Sequence, residues 1–259
     1  MKLGILGGGQ LGMMMCQAAK KIDIETIVFS DSTDSPAVNF SNKNFINKYD
    51  NFTLIDEFIK ECDVITFEFE NIPFETLNYI QNKKCVLPSP NINNIVQDRL
   101  TEKFFINDLG IPTVPYFKID NKNDLSDISS DFFPSILKTR RLGYDGKGQQ
   151  VISKKKDIFK LDQNEYILEK KIKLKQEISV VTVRYQDEKM FSYLPIDNEH
   201  KDQILFKSTS PATINDSVRE KSLKWSKEII AKLNYIGVIC VEYFIDKNDE
   251  LFVNEIAPR

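Results

Sequence analysis

The runs Val238-Ile239-Cys240-Val241-Glu242-Tyr243-Phe244-Ile245 and Leu251-Phe252-Val253-Asn254-Glu255-Ile256 are strand-like, and the intervening Asp246 to Glu250 are all polar or charged. Folding this hairpin about Asn248-Asp249 sets Glu242 opposite Glu255. Directly opposed residues of an antiparallel pair have Cβ atoms roughly 4.5–5.5 Å apart, and like charges there repel. A cation between them removes the repulsion. Mg²⁺ takes oxygen ligands, commonly one or two carboxylates plus substrate phosphates, so the sharp reading is a nucleotide-metal site. The alternative is two solvated glutamates on an exposed sheet face.

Upstream, Phe133-Pro134-Ser135-Ile136-Leu137-Lys138 reads as a strand ending in a lysine, followed by Gly143-Tyr144-Asp145-Gly146-Lys147-Gly148-Gln149 and strand-like Val151-Ile152. A loop with three glycines between two strands can fold over a polyphosphate, its N–H groups and Lys147 supplying donors. It is not a Walker A loop, because the spacing differs and no helix follows. Tyr166-Ile167-Leu168-Glu169 is a strand ending in a carboxylate, and Glu177, eight residues on, opens another. Carboxylates at such places can close a nucleotide pocket, although each alone is more often an ordinary surface residue.

The chain opens as strand (Leu3 to Leu6), glycine turn, helix (11–20) and strand (Thr26 to Phe29), a βαβ unit. Helix-like 54–62, strand-like 64–69, helix-like 73–81 and strand-like Cys85-Val86-Leu87 continue the alternation to Pro88-Ser89-Pro90, where a first domain is expected to end. A helix at 92–108 then leads into a second part of short strands, with one more helix at 217–233; the fold class is α/β followed by α+β. Gly7-Gly8-Gly9-Gln10-Leu11-Gly12 fits G-x-G-x-x-G, and Asp31 lies nineteen residues after Gly12, as in dinucleotide-binding domains. Glycines there let backbone N–H groups approach a phosphate at a helix N-terminus. A sugar phosphate, or tight packing alone, fits the same turn.

With 35 basic and 38 acidic residues nearly cancelling, neither nucleic acid nor an anionic membrane is the expected partner. Cys16, Cys62, Cys85 and Cys240 form no close pair, which excludes a disulfide framework or zinc ribbon and fits a reduced, cytoplasmic location. His200 is the only histidine, which excludes a multi-histidine metal site. The opening apolar run is too short for a signal peptide, and no stretch approaches membrane-spanning length.

In their order, the strand-end lysine, the glycine loop, the Glu169/Glu177 pair and the closing hairpin resemble the ATP-grasp superfamily. Within it the chain is similar to the N5-carboxyaminoimidazole ribonucleotide synthetase family, the ATPase subunit of phosphoribosylaminoimidazole carboxylase. The residues that carry this are Gly7 to Met13, Thr66-Phe67-Glu68-Phe69-Glu70-Asn71, Asp98-Arg99-Leu100-Thr101-Glu102-Lys103, Gly143 to Gln149 and Asn254-Glu255-Ile256-Ala257-Pro258-Arg259. The resemblance implies a Rossmann-like pre-ATP-grasp domain over 1–90 and an ATP-grasp domain over 91–259, with a lid subdomain at about 133–185. It implies a cytoplasmic homodimer using ATP and Mg²⁺, with aminoimidazole ribonucleotide and bicarbonate as substrates.

The same resemblance assigns roles. Arg99 and Lys138 would meet phosphate and adenine, Gly143 to Gln149 (with Tyr144, Asp145, Gly146, Lys147 and Gly148) would form the lid, Glu169, Lys170, Lys171 and Ile172 would line the adenine edge, and Glu177 would hold the ribose. His200, by itself a polar loop residue, aligns with a nucleotide contact. Glu242 and Glu255 would ligate Mg²⁺, with Asn254 at the phosphate end. Tyr144, Asp145, Lys147 and Glu68 would face the ribonucleotide, with Glu70 a weaker candidate, and the backbone at Gln10 and Leu11 would receive its phosphate. Arg259 would hold bicarbonate, with Asp145 and Lys147 beside it in the catalytic set.

Two departures bear on activity. Position 171 is often glycine in the family, and family members continue past Ala-Pro-Arg into a histidine, an asparagine and a C-terminal domain absent from these 259 residues. The expectation is a retained nucleotide site with compromised turnover. Another ATP-grasp ligase, a non-catalytic nucleotide-binding fragment and a nicotinamide-dependent oxidoreductase built on the first glycine turn are the competing readings.

Overall fold

The computed structural model describes residues 1–68, 70–143, 148–158 and 165–258. Runs such as Gly4-Ile5-Leu6 and Ile27-Val28-Phe29 are apolar on both faces, which suits a parallel sheet covered by helices on either side. The first unit runs β1 (Lys2–Leu6), α1 (Gln10–Lys20), β2 (Glu25–Ser30), β3 (Lys43–Ile46), α2 (Phe52–Glu61), β4 (Val64–Phe67) and α3 (Phe74–Gln81). The strand order is β3-β2-β1-β4, all parallel. Ile5 and Val28 pack with Cys16 of α1 on one face, whereas Leu6, Ile27 and Phe29 pack with Phe58 of α2 and Leu77 of α3 on the other. Two sequence expectations change here. β3 was not foreseen, and Cys85 to Leu87 make only an isolated bridge, Val86 to Ile65.

The single helix expected at 92–108 is two, α4 (Asn91–Val96) and α5 (Arg99–Asp108). Asp98 breaks it by turning extended (φ −126°, ψ 111°) and accepting from the Leu100 N–H at 3.0 Å, an N-cap that fixes where α5 starts. Next comes a small antiparallel sheet of β5 (Tyr116–Ile119), β6 (Ser135–Thr139), β7 (Gln149–Ile152) and β8 (Tyr166–Lys170), ordered β5-β8-β6-β7. The segment expected as lid, 133–185, therefore omits β5, which pairs with β8, and takes in a strand of the larger sheet.

That larger sheet holds β9 (Leu174–Arg184), β10 (Met190–Ser192), β11 (Ile196–Lys201), β12 (Ile204–Thr209), then, after α6 (Asp216–Lys232), β13 (Gly237–Asp246) and β14 (Leu251–Pro258). Its order is β12-β11-β9-β13-β14, with β10 also on β9. Alternation is clean in β13: Val241, Tyr243 and Ile245 are buried against Ile229 and Ile230 of α6, which leaves Glu242 and Phe244 on the other face. Among the described residues no helix is long and apolar enough to cross a membrane.

Candidate active site

The closing hairpin sets the floor. Glu242 stands opposite Glu255, as the sequence indicates, but by a different route. Nearer the turn the register is Tyr243↔Val253, Phe244↔Phe252 and Ile245↔Leu251, so the fold centres on Asn248; one extra residue, Asn254, restores the Glu242↔Glu255 pairing. A bulge of this kind turns two consecutive side chains out of strict alternation, and both Asn254 and Glu255 line the same cleft. On the other side of β13, Phe244 pairs with Glu177 of β9, which adds Glu177 to the face carrying Glu242.

The cleft has a volume of about 620 Å³ and lies between this floor, the small sheet and the N-terminus of α5. Among its lining residues are Arg99, Lys138, Gly143, Gly148, Gln149, Glu169, Lys170, Lys171, Ile172, Glu177, His200, Glu242, Asn254 and Glu255. These are all of the nucleotide and metal residues indicated by the sequence that fall among the described residues. Tyr144, Asp145, Gly146, Lys147 and Arg259 lie outside the described residues, as does Phe69 of the acid motif. The exit of the glycine loop is tightly placed: Gly148 has φ +73°, and a Cβ on it would lie 2.5 Å from Thr139 Oγ1. An L side chain there would be strained by conformation and by contact.

Charge is organised in two groups. On the roof, Lys138 Nζ lies 2.7 Å from Glu169 Oε2, and Lys103 Nζ 3.2 Å from Glu169 Oε1, the latter without hydrogen-bond alignment. Burial alone would raise the Glu169 pKa, but Lys138 and Lys103 outweigh it and hold the carboxylate at about 2. Glu169 is therefore an ionised acceptor between two lysines, of which Lys138 lines the cleft. On the floor, Arg99 reaches Glu255 Oε2 at 3.5 Å and donates to the Gly143 carbonyl at 3.1 Å, so one guanidinium ties the hairpin to the glycine loop. Behind it, fully buried Glu102 accepts from the Ile256 N–H at 2.6 Å. Burial, then the charge of Glu255, push Glu102 up to about 8. At the far end His200 Nδ1 lies 3.1 Å from Glu177 Oε2. Burial raises the Glu177 pKa against the opposing pull of His200 and Lys138.

A magnesium ion fits this floor. Among the described residues the buried Asn254 Oδ1 has no hydrogen-bond partner, and Asn254 precedes Glu255, which stands across from Glu242, giving an all-oxygen donor set. Among the described residues no group of three or more His, Cys, Asp or Glu gathers to hold a metal.

Glu68, Gln10 and Leu11 are elsewhere, at the first glycine turn. The Glu68 carboxylate accepts from the Gly9 N–H and, at 2.6 Å, from the Gly12 N–H. Gly7, with φ +106°, approaches so closely that a Cβ would lie 2.4 Å from Glu68 Cγ. The turn expected to receive a ligand phosphate thus already holds a carboxylate of the chain itself at the helix N-terminus. Gln10 and Leu11 are exposed on the first turn of α1 beside it.

Sequence reasoning missed Glu102 and Lys103 as parts of the site, along with Gln203, whose side chain accepts from Gln149 Nε2 across the cleft mouth. Arg99, Glu102 and Lys103 sit on one five-residue stretch at the start of α5, and that clustering of charge was the available signal.

A parallel sheet followed by two antiparallel sheets that enclose a lysine- and carboxylate-lined cleft defines an ATP-grasp ligase. The ATP-grasp domain family matches residues 104–259, and the ribonucleotide synthetase preATP-grasp domain matches residues 1–97. N5-carboxyaminoimidazole ribonucleotide synthase of Staphylococcus aureus (strain COL) is 38% identical over 262 residues, covering 99% of this chain and 70% of that protein. The Staphylococcus aureus N5-carboxyaminoimidazole synthetase complexed with ADP is 36% identical with a TM-score of 0.94, over 100% of this chain and 70% of that one. An ADP complex of another N5-carboxyaminoimidazole ribonucleotide synthetase, 32% identical, also gives 0.94 over the same shares. The chain belongs to the N5-carboxyaminoimidazole ribonucleotide synthase family.

Proposed function

We propose that the cleft binds Mg²⁺-ATP and that the chain uses it to carboxylate 5-aminoimidazole ribonucleotide with bicarbonate, giving N5-carboxyaminoimidazole ribonucleotide, ADP and phosphate in purine biosynthesis. The observation that carries this is the opposition of Glu242 and Glu255 in the cleft that Lys138 also lines, with Asn254 Oδ1, which has no hydrogen-bond partner among the described residues, beside them. Glu242, Glu255 and Asn254 would hold Mg²⁺, which when bound would neutralise the transferring phosphoryl group. Arg99 and Lys138 supply cationic donors along the phosphates, Glu169 to Ile172 the adenine edge, and Glu177 with His200 the ribose end.

Bicarbonate oxygen attacks the γ-phosphorus and ADP leaves; the amine of the ribonucleotide then attacks the carboxyl carbon of the resulting carboxyphosphate, and phosphate leaves. Such an acyl phosphate is lost to water unless the site closes, the task assigned to the Gly143 to Gln149 loop. Glu68 takes the ribonucleotide: each carboxylate oxygen that accepts one N–H keeps a second lone pair for the amine. Gln10 and Leu11 flank it on the phosphate side. Roles for Tyr144, Asp145, Lys147 and Arg259 rest on the family resemblance. The same reading assigns residues 1–90 to the pre-ATP-grasp unit and 91–259 to the ATP-grasp unit, within a cytoplasmic homodimer.

A nicotinamide cofactor is disfavoured because Glu68 occupies the Gly9 and Gly12 amides that a dinucleotide pyrophosphate would need. The test is phosphate release from ATP with and without bicarbonate and aminoimidazole ribonucleotide, beside ADP binding. Release that needs both supports the reading. ADP binding without bicarbonate-dependent release would leave a nucleotide-binding role in its place.

A further inference from the structure

We infer that Gln97 is a positioning residue that holds the Glu68 carboxylate in place for the ribonucleotide; this rests on the substrate role proposed above for Glu68. Gln97 Nε2 donates to the Glu70 carbonyl at 2.5 Å and to the Ile72 carbonyl at 2.9 Å. Asn93, one helical turn earlier and fully buried, directs its Nδ2 to the same two carbonyls at 3.1 and 3.5 Å. Two amide side chains thus converge on the Glu70 and Ile72 carbonyls, which lie in no helix or strand and have no ladder to satisfy them.

The front of that segment is held as well. Glu68 donates its N–H to the Leu6 carbonyl at 3.0 Å, and its carboxylate accepts from Gly9 and Gly12. Glu68 is therefore held by the glycine turn on one side, and Glu70 and Ile72 by Asn93 and Gln97 on the other. Gln97 is the clamp that lines the nucleotide cleft, together with Glu70 and Asn71. Its two successors extend the connection. Asp98 is held by Arg140, the residue after β6, at 3.0 and 2.5 Å, and Arg99 reaches Glu255 and Gly143. Residues 97, 98 and 99 thereby link the acid segment, the roof and the metal-binding floor.

An amide is what the position requires. Two carbonyl oxygens need two N–H donors, which one Gln nitrogen provides; a glutamate of the same shape would oppose acceptors with a charged acceptor. The test follows amide hydrogen exchange at Gly9 and Gly12, with calorimetric titration of ADP and of aminoimidazole ribonucleotide, in the unaltered chain, Gln97→Glu and Gln97→Ala. The expected result is exchange at Gly9 and Gly12 faster by about tenfold and ribonucleotide affinity weaker by about tenfold, with ADP affinity within about twofold. Unchanged exchange in both variants overturns the inference, and so does an equal loss of ADP and ribonucleotide binding, which would mark Gln97 as general support for α5. If Gln97→Glu does not fold, Gln97→Ala carries the same comparison. If the unaltered chain binds ADP but not the ribonucleotide, the substrate reading fails, while faster exchange in the variants still upholds the clamp on Glu68.

Discussion

Glu169 and Glu102 are almost equally buried, at 2% and 3% exposure, in the walls of one cleft, yet their proton affinities move in opposite directions. Glu169 meets two lysines and is held at about 2; Glu102 meets burial and the neighbouring charge of Glu255 and rises to about 8. Burial makes any unpaired charge costly, and the neighbours decide which side of the balance a carboxylate falls on. The roof is thus a finished ion cluster. The floor carries an excess of negative charge that a cation would relieve.

Removing the finished cluster has the largest effect. Glu169→Ala leaves Lys138 and Lys103 buried without their counter-charge and is expected to destabilise by about 3 kcal/mol in urea unfolding. A loss near zero would mean the lysines are already neutral, and the contrast between roof and floor would fail.

Next in size is the pH dependence of the floor. The folded-state pKa of Glu102 lies above its ordinary 4.5, so its contribution to stability is complete below 4.5 and is lost as pH rises through about 8. Glu169 has the opposite sign: its contribution is present above 4.5 and is lost as pH falls towards 2. Glu102→Gln keeps an acceptor for the Ile256 N–H and removes the titration. Thermal melts of this variant should stay level between pH 5 and pH 8, where the unaltered chain loses about 1–3 kcal/mol. Parallel curves for the two would contradict the raised pKa.

How far the sequence reached follows the same division. The opposition of Glu242 and Glu255 was legible because alternation and a polar turn specify a hairpin, but the bulge at Asn254 that produces it was not, since one inserted residue leaves no mark on the pattern. Lys138 and Glu169 were legible as charges ending apolar strands. Glu102 was not, because a glutamate on a helix reads as solvated until the packing of that helix is known. The break at Asp98 followed the same limit: an aspartate within a helical stretch becomes a cap only when Arg140, beyond the end of β6, fixes it. The hairpin of β11 and β12 was missed for local reasons. Its turn uses Asp202 and Gln203 with φ of +50° and +67°, not the Asn-Gly or Asp-Gly pair that would have announced it.

The smallest effect is expected at the ribose end, where Glu177 and His200 are each partly exposed. His200→Ala should change folding stability by only about 0.5 kcal/mol and weaken ADP binding by about threefold.

The most direct measurement is calorimetric titration of ADP into the unaltered chain and Glu255→Gln, each with Mg²⁺ and with the metal chelated. If the opposed glutamates hold the metal, Mg²⁺ tightens ADP binding by about tenfold or more in the unaltered chain, and the two variant titrations coincide. An undiminished effect of Mg²⁺ in Glu255→Gln would contradict the metal-binding floor.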